Sequence, residues 1–438
     1  MTGALAGTAA TLVEHALDAA ESASADVLLT ARLHVADAVC CAAGGAVGPL
    51  GELMVVAARA DSPTGPSLPE SVDLLATLIH VDEFDALHEE SATCPALCVA
   101  VAVHLGLRLG STVDQVLRAV VAGYEATVAA ATAGDAPGMY ARGLWPSSLF
   151  AKLGSAVTAG YLMGLDRQAC AHAVAIAATS GCAQLPPDIT DGHYTSAGTA
   201  ARLGLEAARQ AALGLVGSLR IFDDGAYPLD ATTLTPAGPP AIVSTALKPY
   251  PCARPLHAVA EATRGVVEHA GLQPGDIRSI TVAVPAPLRR FLNQEAQPET
   301  VGGRKCSVTY VTRAAVSGCA DDCRTYWRAL DLPDVPVSLV AGGAPIDDLY
   351  PRSWGARVVV DAGAATYTEL VTVPLGAETR PLGRAQLYNK WEGLLKAVSP
   401  GESLESWTGP LLSADGGEPF TRRLVPRGAG VGDRDVLV

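Results

Sequence analysis

Three prolines fall within ten residues of this chain, in the run K-P-Y-P-C-A-R-P-L-H from Lys248 to His257. Each proline fixes φ and removes a backbone donor, so the run can be neither an ordinary helix nor a central strand. It splits the chain into two patterns. Ahead of it, from about residue 8 to residue 245, apolar residues recur at three- and four-residue spacing through residues 25–43, 72–79, 113–131, 149–165 and 166–177. That period predicts helices. Residues 199–213 read as a further helix of small side chains. Breaks are expected at Gly44-Gly45, Asp61-Ser62-Pro63, Ala136-Pro137-Gly138 and Leu185-Pro186-Pro187, and Asp166 is placed to cap the helix that follows it. Beyond the prolines, residues 257–270 and 308–330 read as helices. Residues 277–284, 357–361 and 367–373 read as strands, with a turn at Ala362-Gly363.

The expected fold is therefore α+β and multidomain. A large helical domain takes residues 1–245 and a smaller α/β lid domain residues 246–383. Residues 384–438 return to the helical domain through a helix over 386–397, with a loose tail after about Gly409. The chain has 438 residues, of which 49% are hydrophobic and only 17% charged, enough for a large core. Alanine is abundant, and there are only five Phe and five Trp, which favours closely approaching helices.

A formal net charge of −14 argues against a nucleic-acid partner, and no polybasic run points to a membrane surface. The apolar run 96–107 is too short to span a bilayer, and the N-terminal residues lack the pattern of a signal peptide. Ten cysteines, several in apolar helical stretches, read as reduced thiols of a cytoplasmic protein. Cys319 and Cys323 have no second pair at zinc spacing, so no metal is expected. A stiff cationic loop in so acidic a chain, placed where two domains should meet, is expected to grip a small anion.

Seven segments in order resemble the MmgE/PrpD family: Arg32–Gly44, His80–Pro95, Gly123-Tyr124-Glu125, Ala141–Leu165, Gly198–Ala207, Lys248–His257 and Lys390-Trp391. The resemblance runs from about residue 8 to 400. It implies a helical domain, a smaller α/β lid, a site between them and a homodimer. It also implies chemistry without metal or organic cofactor, namely proton transfer beside a carboxylate followed by elimination, decarboxylation or reprotonation.

The chain departs from the family pattern at several positions. Where relatives read H-A-L-D-F-D-D-T, Phe84 and Asp85 match, Asp82-Glu83 fall around the first acid, and Ala86 and Leu87 replace an acid and a threonine. Cys94 stands where a catalytic histidine is common, and Trp145 replaces a histidine before a proline. His193 takes the place of a family lysine, and it reads as a loop residue ahead of a helix N-cap at Ser196. His88, three residues after Asp85, is the candidate for the missing imidazole. Lys248 and His257 match the family, Arg254 is often present there, and Arg289 falls near a tyrosine of some relatives.

These positions define the expected site. His193 or His88 is the base, Lys248 and Arg254 stabilise enolate charge, and Asp82 and Asp85 orient or protonate. His257, Trp145, Cys94 and Arg289 bind substrate. The reaction expected is cofactor-independent elimination of a β-hydroxyl or activated hydroxyl from a small carboxylate of specialised metabolism, since the substitutions above argue against 2-methylcitrate. An epimerase, a decarboxylase and a non-catalytic ligand-binding protein are the rivals.

Overall fold

The structure, a computed structural model, describes residues 7–60, 65–181, 184–185, 189–223 and 227–426. The breaks expected at Asp61-Ser62-Pro63 and at Pro186-Pro187 lie outside these residues. The chain is mostly helical with one small four-stranded sheet.

The helices start where short polar side chains can cap them. Ser24 accepts from Val27 N–H ahead of Ala25–Ala46, Thr112 and Gln115 form a capping box ahead of Val113–Ala133, and Asp166 accepts from Ala169 N–H as expected. Two of these helices, Ala25–Ala46 and Val113–Ala133, are long and apolar enough to cross a membrane. However, 67% and 89% of their apolar windows are buried within this fold.

Small residues set how closely the helices approach. A Cβ at Gly154 would collide with the Gly123 carbonyl and Thr127, and one at Gly198 with the Asp73 carbonyl. The second contact lays helix Asp191–Ala212 directly on helix Leu68–His80. That helix begins eight residues ahead of the expected 199, with Thr190 as N-cap. His193 is therefore in its first turn, not in a loop before Ser196.

The sheet has the order β2-β1-β3-β4, with β1 Ser279–Val284, β2 Val337–Ala341, β3 Ala356–Asp361 and β4 Thr366–Val371. β1 runs parallel to β2 and antiparallel to β3, and β3 pairs antiparallel with β4. Alternation along β3 buries Ala356, Val358 and Val360 beneath helices His257–Ala270 and Val308–Val316. This forms a second hydrophobic core, separate from that of the helical part.

One strand goes unpredicted and one expectation fails here. β2 is an edge strand with a mostly exposed face, so it lacks the alternation that marks the others. The helix expected over 308–330 stops at Val316, where Gly318 takes φ 70°. A single turn, Arg324–Trp327, follows.

The helix expected over 386–397 spans Arg384–Val398 and packs on Ala25–Ala46. The stretch after Gly409 is not loose as far as residue 426: Leu404–Ser413 is helical and Phe420 N–H donates to Ser111 O at 2.8 Å.

Candidate active site

Helix Leu68–His80 ends at the residue that anchors the site. His80 is 1% exposed, and its Nδ1 lies 3.0 Å from Asp85 Oδ1. Between them Glu83 adopts φ 53°, the left-handed region that a branched or long side chain enters at a cost of about 1–2 kcal/mol. The turn holds because Glu83 N–H donates to His80 O at 2.8 Å and Glu83 O accepts from Lys248 Nζ at 3.0 Å. Strain of this kind is kept where the surroundings over-determine it, typically at functional positions.

Three donors surround the Glu83 carboxylate. Lys248 Nζ lies 3.3 Å from Oε2, His193 Nε2 3.5 Å from Oε1 and His80 Nε2 3.8 Å from Oε1. Burial works to raise the Glu83 pKa, but the charges of Lys248 and His80 hold it well below the usual carboxylate range. Asp85 is lowered in the same way, burial being outweighed by His80 and Lys248.

The two imidazoles are displaced in opposite senses. Burial works to lower His80, yet the Asp85 and Glu83 carboxylates hold it well above its ordinary value, in its charged form. Burial pushes His193 down; the hydrogen bond to Glu83 opposes this and the His80 charge adds to it. Their Nε2 atoms are 3.3 Å apart. The Trp145 ring stacks on His80 with centroids 5.1 Å apart and tilts against His193 at 4.4 Å. No protein atom bonds His193 Nδ1.

Arg254 sits in the 3₁₀ turn Arg254–Leu256 of the proline-rich run and is 1% exposed. Its Nε donates to Glu89 Oε1 at 2.9 Å, and Nη1 donates to His257 Nδ1 at 3.1 Å and to Leu375 O at 3.0 Å. Nη2 is buried with no partner among the protein atoms. His257 is a support for this guanidinium: its Nε2 donates to Cys252 O at 3.1 Å, which fixes the tautomer that accepts from Arg254. Burial, then the Arg254 and Lys248 charges, hold it well below its ordinary value.

A cavity of about 50 Å³ brings His80, Glu83, His193, Arg254, Cys94 and Trp145 together, with Phe291, Leu292 and Trp354 from the sheet side. The remaining expected residues lie elsewhere. Lys248 is fully buried behind Glu83 and does not line the cavity. Asp85 likewise stands behind His80. Asp82 Oδ1 accepts from Lys305 Nζ at 2.7 Å and from Trp327 Nε1 at 2.9 Å, on another side of the turn. The His88 ring bonds Ser91 Oγ at 2.9 Å, and burial lowers its pKa to about 4. Arg289 is exposed on the segment Ala286–Phe291, outside the cavity lining. The Cys94 thiol lines the cavity, with its pKa raised by burial and then by Asp85.

Sequence reasoning missed His80, Glu83 and Lys305 as site or supporting groups. The first two were visible as the H-x-x-E spacing that opens the acidic segment. Lys305 carries no local signal. One ligand atom each of His80, Glu83 and His193 lie within 4.8 Å of one another, close enough to share a cation. The other Glu83 oxygen, Oε2, pairs with Lys248 Nζ at 3.3 Å, so an ammonium already supplies a positive charge beside this group.

Residues 10–234 match the MmgE/PrpD N-terminal domain family. The cis-aconitate decarboxylases of Homo sapiens and Mus musculus are each 31% identical to this chain, over 155 and 156 residues. In both cases the matched part is 32% of this chain and 32% of the relative, so the match spans about a third of those proteins' length. With its match covering more than half of the sequence, the chain belongs to the MmgE/PrpD family.

Proposed function

We propose that this protein is a cofactor-independent lyase that removes a proton α to a carboxylate and expels a β-hydroxyl as water. One observation carries the reading. Two residues around the same cavity, His193 and Arg254, each carry a buried side-chain nitrogen with no protein partner, Nδ1 and Nη2. They offer a proton acceptor beside an anion-binding donor.

In this reading His193 carries its proton on Nε2, toward Glu83 Oε1 at 3.5 Å, the charged His80 Nε2–H is directed at the same carboxylate and not at His193, and the lone pair is left on His193 Nδ1. Burial and the charge on His80 keep His193 neutral, ready to accept a proton at neutral pH. Arg254 Nη2 holds the substrate carboxylate, and Arg254 with charged His80 stabilises the enolate-like state. The C–H electrons are first held in that enolate-like state and form the C=C bond when the C–O bond then breaks. The proton held on His193 Nδ1 goes to the departing hydroxyl, which leaves as water.

Decarboxylation is the second reading, favoured by the names of the two relatives. It needs a proton delivered to carbon after CO2 departs, whereas a lowered His193 is disposed to accept one. Incubation of 3-hydroxy acids in deuterated water, with product followed by NMR, separates the two. Elimination with deuterium exchange at Cα supports the proposal. Release of CO2 with deuterium in its place supports decarboxylation, and the absence of unsaturated product, of CO2 release and of exchange with every acid defeats both.

A further inference from the structure

We infer that the substrate is a monocarboxylate with an apolar body, not a di- or tricarboxylate. The inference rests on the reading that this cavity takes the substrate and deepens it.

The charges around the cavity support a single anionic group. Its lining holds one guanidinium, Arg254, whose Nε is already paired with Glu89. It holds one charged imidazole, His80, already paired with Asp85. It also holds a carboxylate of its own, Glu83. Lys248 and Lys305, which would help neutralise a polyanion, are buried behind Glu83 and against Asp82 and do not reach the lining. Among the described cationic groups of the lining, Arg254 Nη2 is the one buried donor atom without a protein partner. A second or third carboxylate would be desolvated with no cation opposite it, close to Glu83, and such an unpaired buried charge is strongly disfavoured.

The rest of the wall is apolar. Tyr140, Trp145, Phe291 and Trp354 are four of the eighteen residues around the cavity, although aromatics make up only 5% of the chain. Leu87, Leu185, Ile189 and Leu292 fill much of the remainder. A wall of this kind gains by covering hydrocarbon and gains nothing from a carboxylate. At about 50 Å³ the space is small, so the inference requires Phe291, Leu292 and Trp354 to part from the helical wall as substrate enters.

The test is binding, measured apart from turnover. Isothermal titration of the full chain compares 3-hydroxy-4-methylpentanoate and 3-hydroxy-3-phenylpropanoate with citrate, 2-methylcitrate and cis-aconitate at fixed ionic strength. At least one of the two apolar monocarboxylates is expected to bind 100-fold more tightly than any of the polyanions. Equal or tighter binding of a polyanion overturns the inference, as does failure of both monocarboxylates to bind. Binding of a monocarboxylate without α-proton exchange leaves the inference standing and refutes the lyase reading instead. In a second arm, Phe291→Lys places a cation at the partly exposed rim and is expected to tighten citrate binding at least tenfold. A folded Phe291→Lys protein whose citrate affinity is unchanged removes the charge argument.

Discussion

His80 Nε2 and His193 Nε2 lie 3.3 Å apart beneath the same tryptophan, and the two rings are biased toward opposite protonation states. Groups whose surroundings push their pKa values apart take different parts in acid–base chemistry. Here the charged ring is the one tied to Asp85, and the neutral ring is the one with a nitrogen left without a protein partner.

This pairing fixes the sign of the pH dependence. A base must be deprotonated, and His193 is lowered from an ordinary value of about 6.5. The kcat/KM for elimination should be level through neutrality and fall only on the acid side, with a limb below pH 6.5. A pH–rate profile checks this. A rate that instead falls as pH rises through neutrality assigns His193 the role of proton donor.

Lys248→Met should act through Glu83 and not on substrate. The ammonium touches Glu83 O, Glu83 Oε2 and, at 3.8 Å, Asp85 Oδ1. Its loss leaves buried carboxylates short of a cation, at a cost of about 3 kcal/mol of stability. In the folded fraction kcat should drop by about tenfold or more while KM changes less than about threefold. A large rise in KM with kcat intact would return Lys248 to the substrate.

Arg254→Gln should do the reverse. The carboxylate grip is lost, so KM should rise about 30-fold or more, consistent with about 2–3 kcal/mol for a hydrogen bond to a charged group. Circular dichroism establishes that the variant is folded, since Glu89 also loses its partner. A KM within a few-fold of the parent would rule out Arg254 as the anion site.

Asp82→Asn should be a lesion of stability alone. It deprives buried Lys305 of its carboxylate at a cost of about 3 kcal/mol. Chemical denaturation measures that loss, and α-proton exchange in the folded fraction should stay within a few-fold. Exchange reduced a hundredfold would put Asp82 in the chemistry.

Stability should fall as pH drops from about 6.5 to 4. Burial lowers His88 and His104 to about 4 and His34 to about 3, so the unfolded chain takes up these protons first. For such groups the native state loses ground as pH falls through the unfolded value, and the loss levels off below the folded one. For His88 alone the shift corresponds to roughly 3 kcal/mol. His80 works in the opposite direction, its contribution being present at low pH and lost as pH rises through its raised value. Denaturation of His88→Asn at pH 7 and pH 4.5 should show a smaller difference than the parent; an unchanged difference excludes His88 as a source.

The sequence made the helical layer and three of the four strands legible because each has one buried face and hence one clear period. β2 was hidden because an edge strand with solvent on most of its side chains carries no such alternation. Arg254, His193, Trp145 and Cys94 stand out in the sequence because each replaces or repeats a family position, and the structure places all four around one cavity. His88 was preferred to His80 on the strength of its helical spacing from Asp85. But residues 81–94 form turns, not a helix, and the left-handed Glu83 turns the His80 side of the loop inward. Lys248 was placed at the substrate because a line of sequence shows which cations gather in one loop. It does not show that a carboxylate stands between one of them and the cleft.

Lys390, from helix Arg384–Val398, donates to Phe84 O and Asp37 Oδ2, each at 2.8 Å, and its neighbour Trp391 donates to Asp37 Oδ1 at 2.9 Å. The turn that carries Glu83 is thus fastened from far downstream by a side chain emerging from the ribosome some three hundred residues after it. Helices made early in synthesis must wait, with their charged turn unsecured, until nearly the whole polypeptide is available. A chain ending before residue 390 would retain the base, the tryptophan and the arginine, yet lack the clasp that sets the spacing between them.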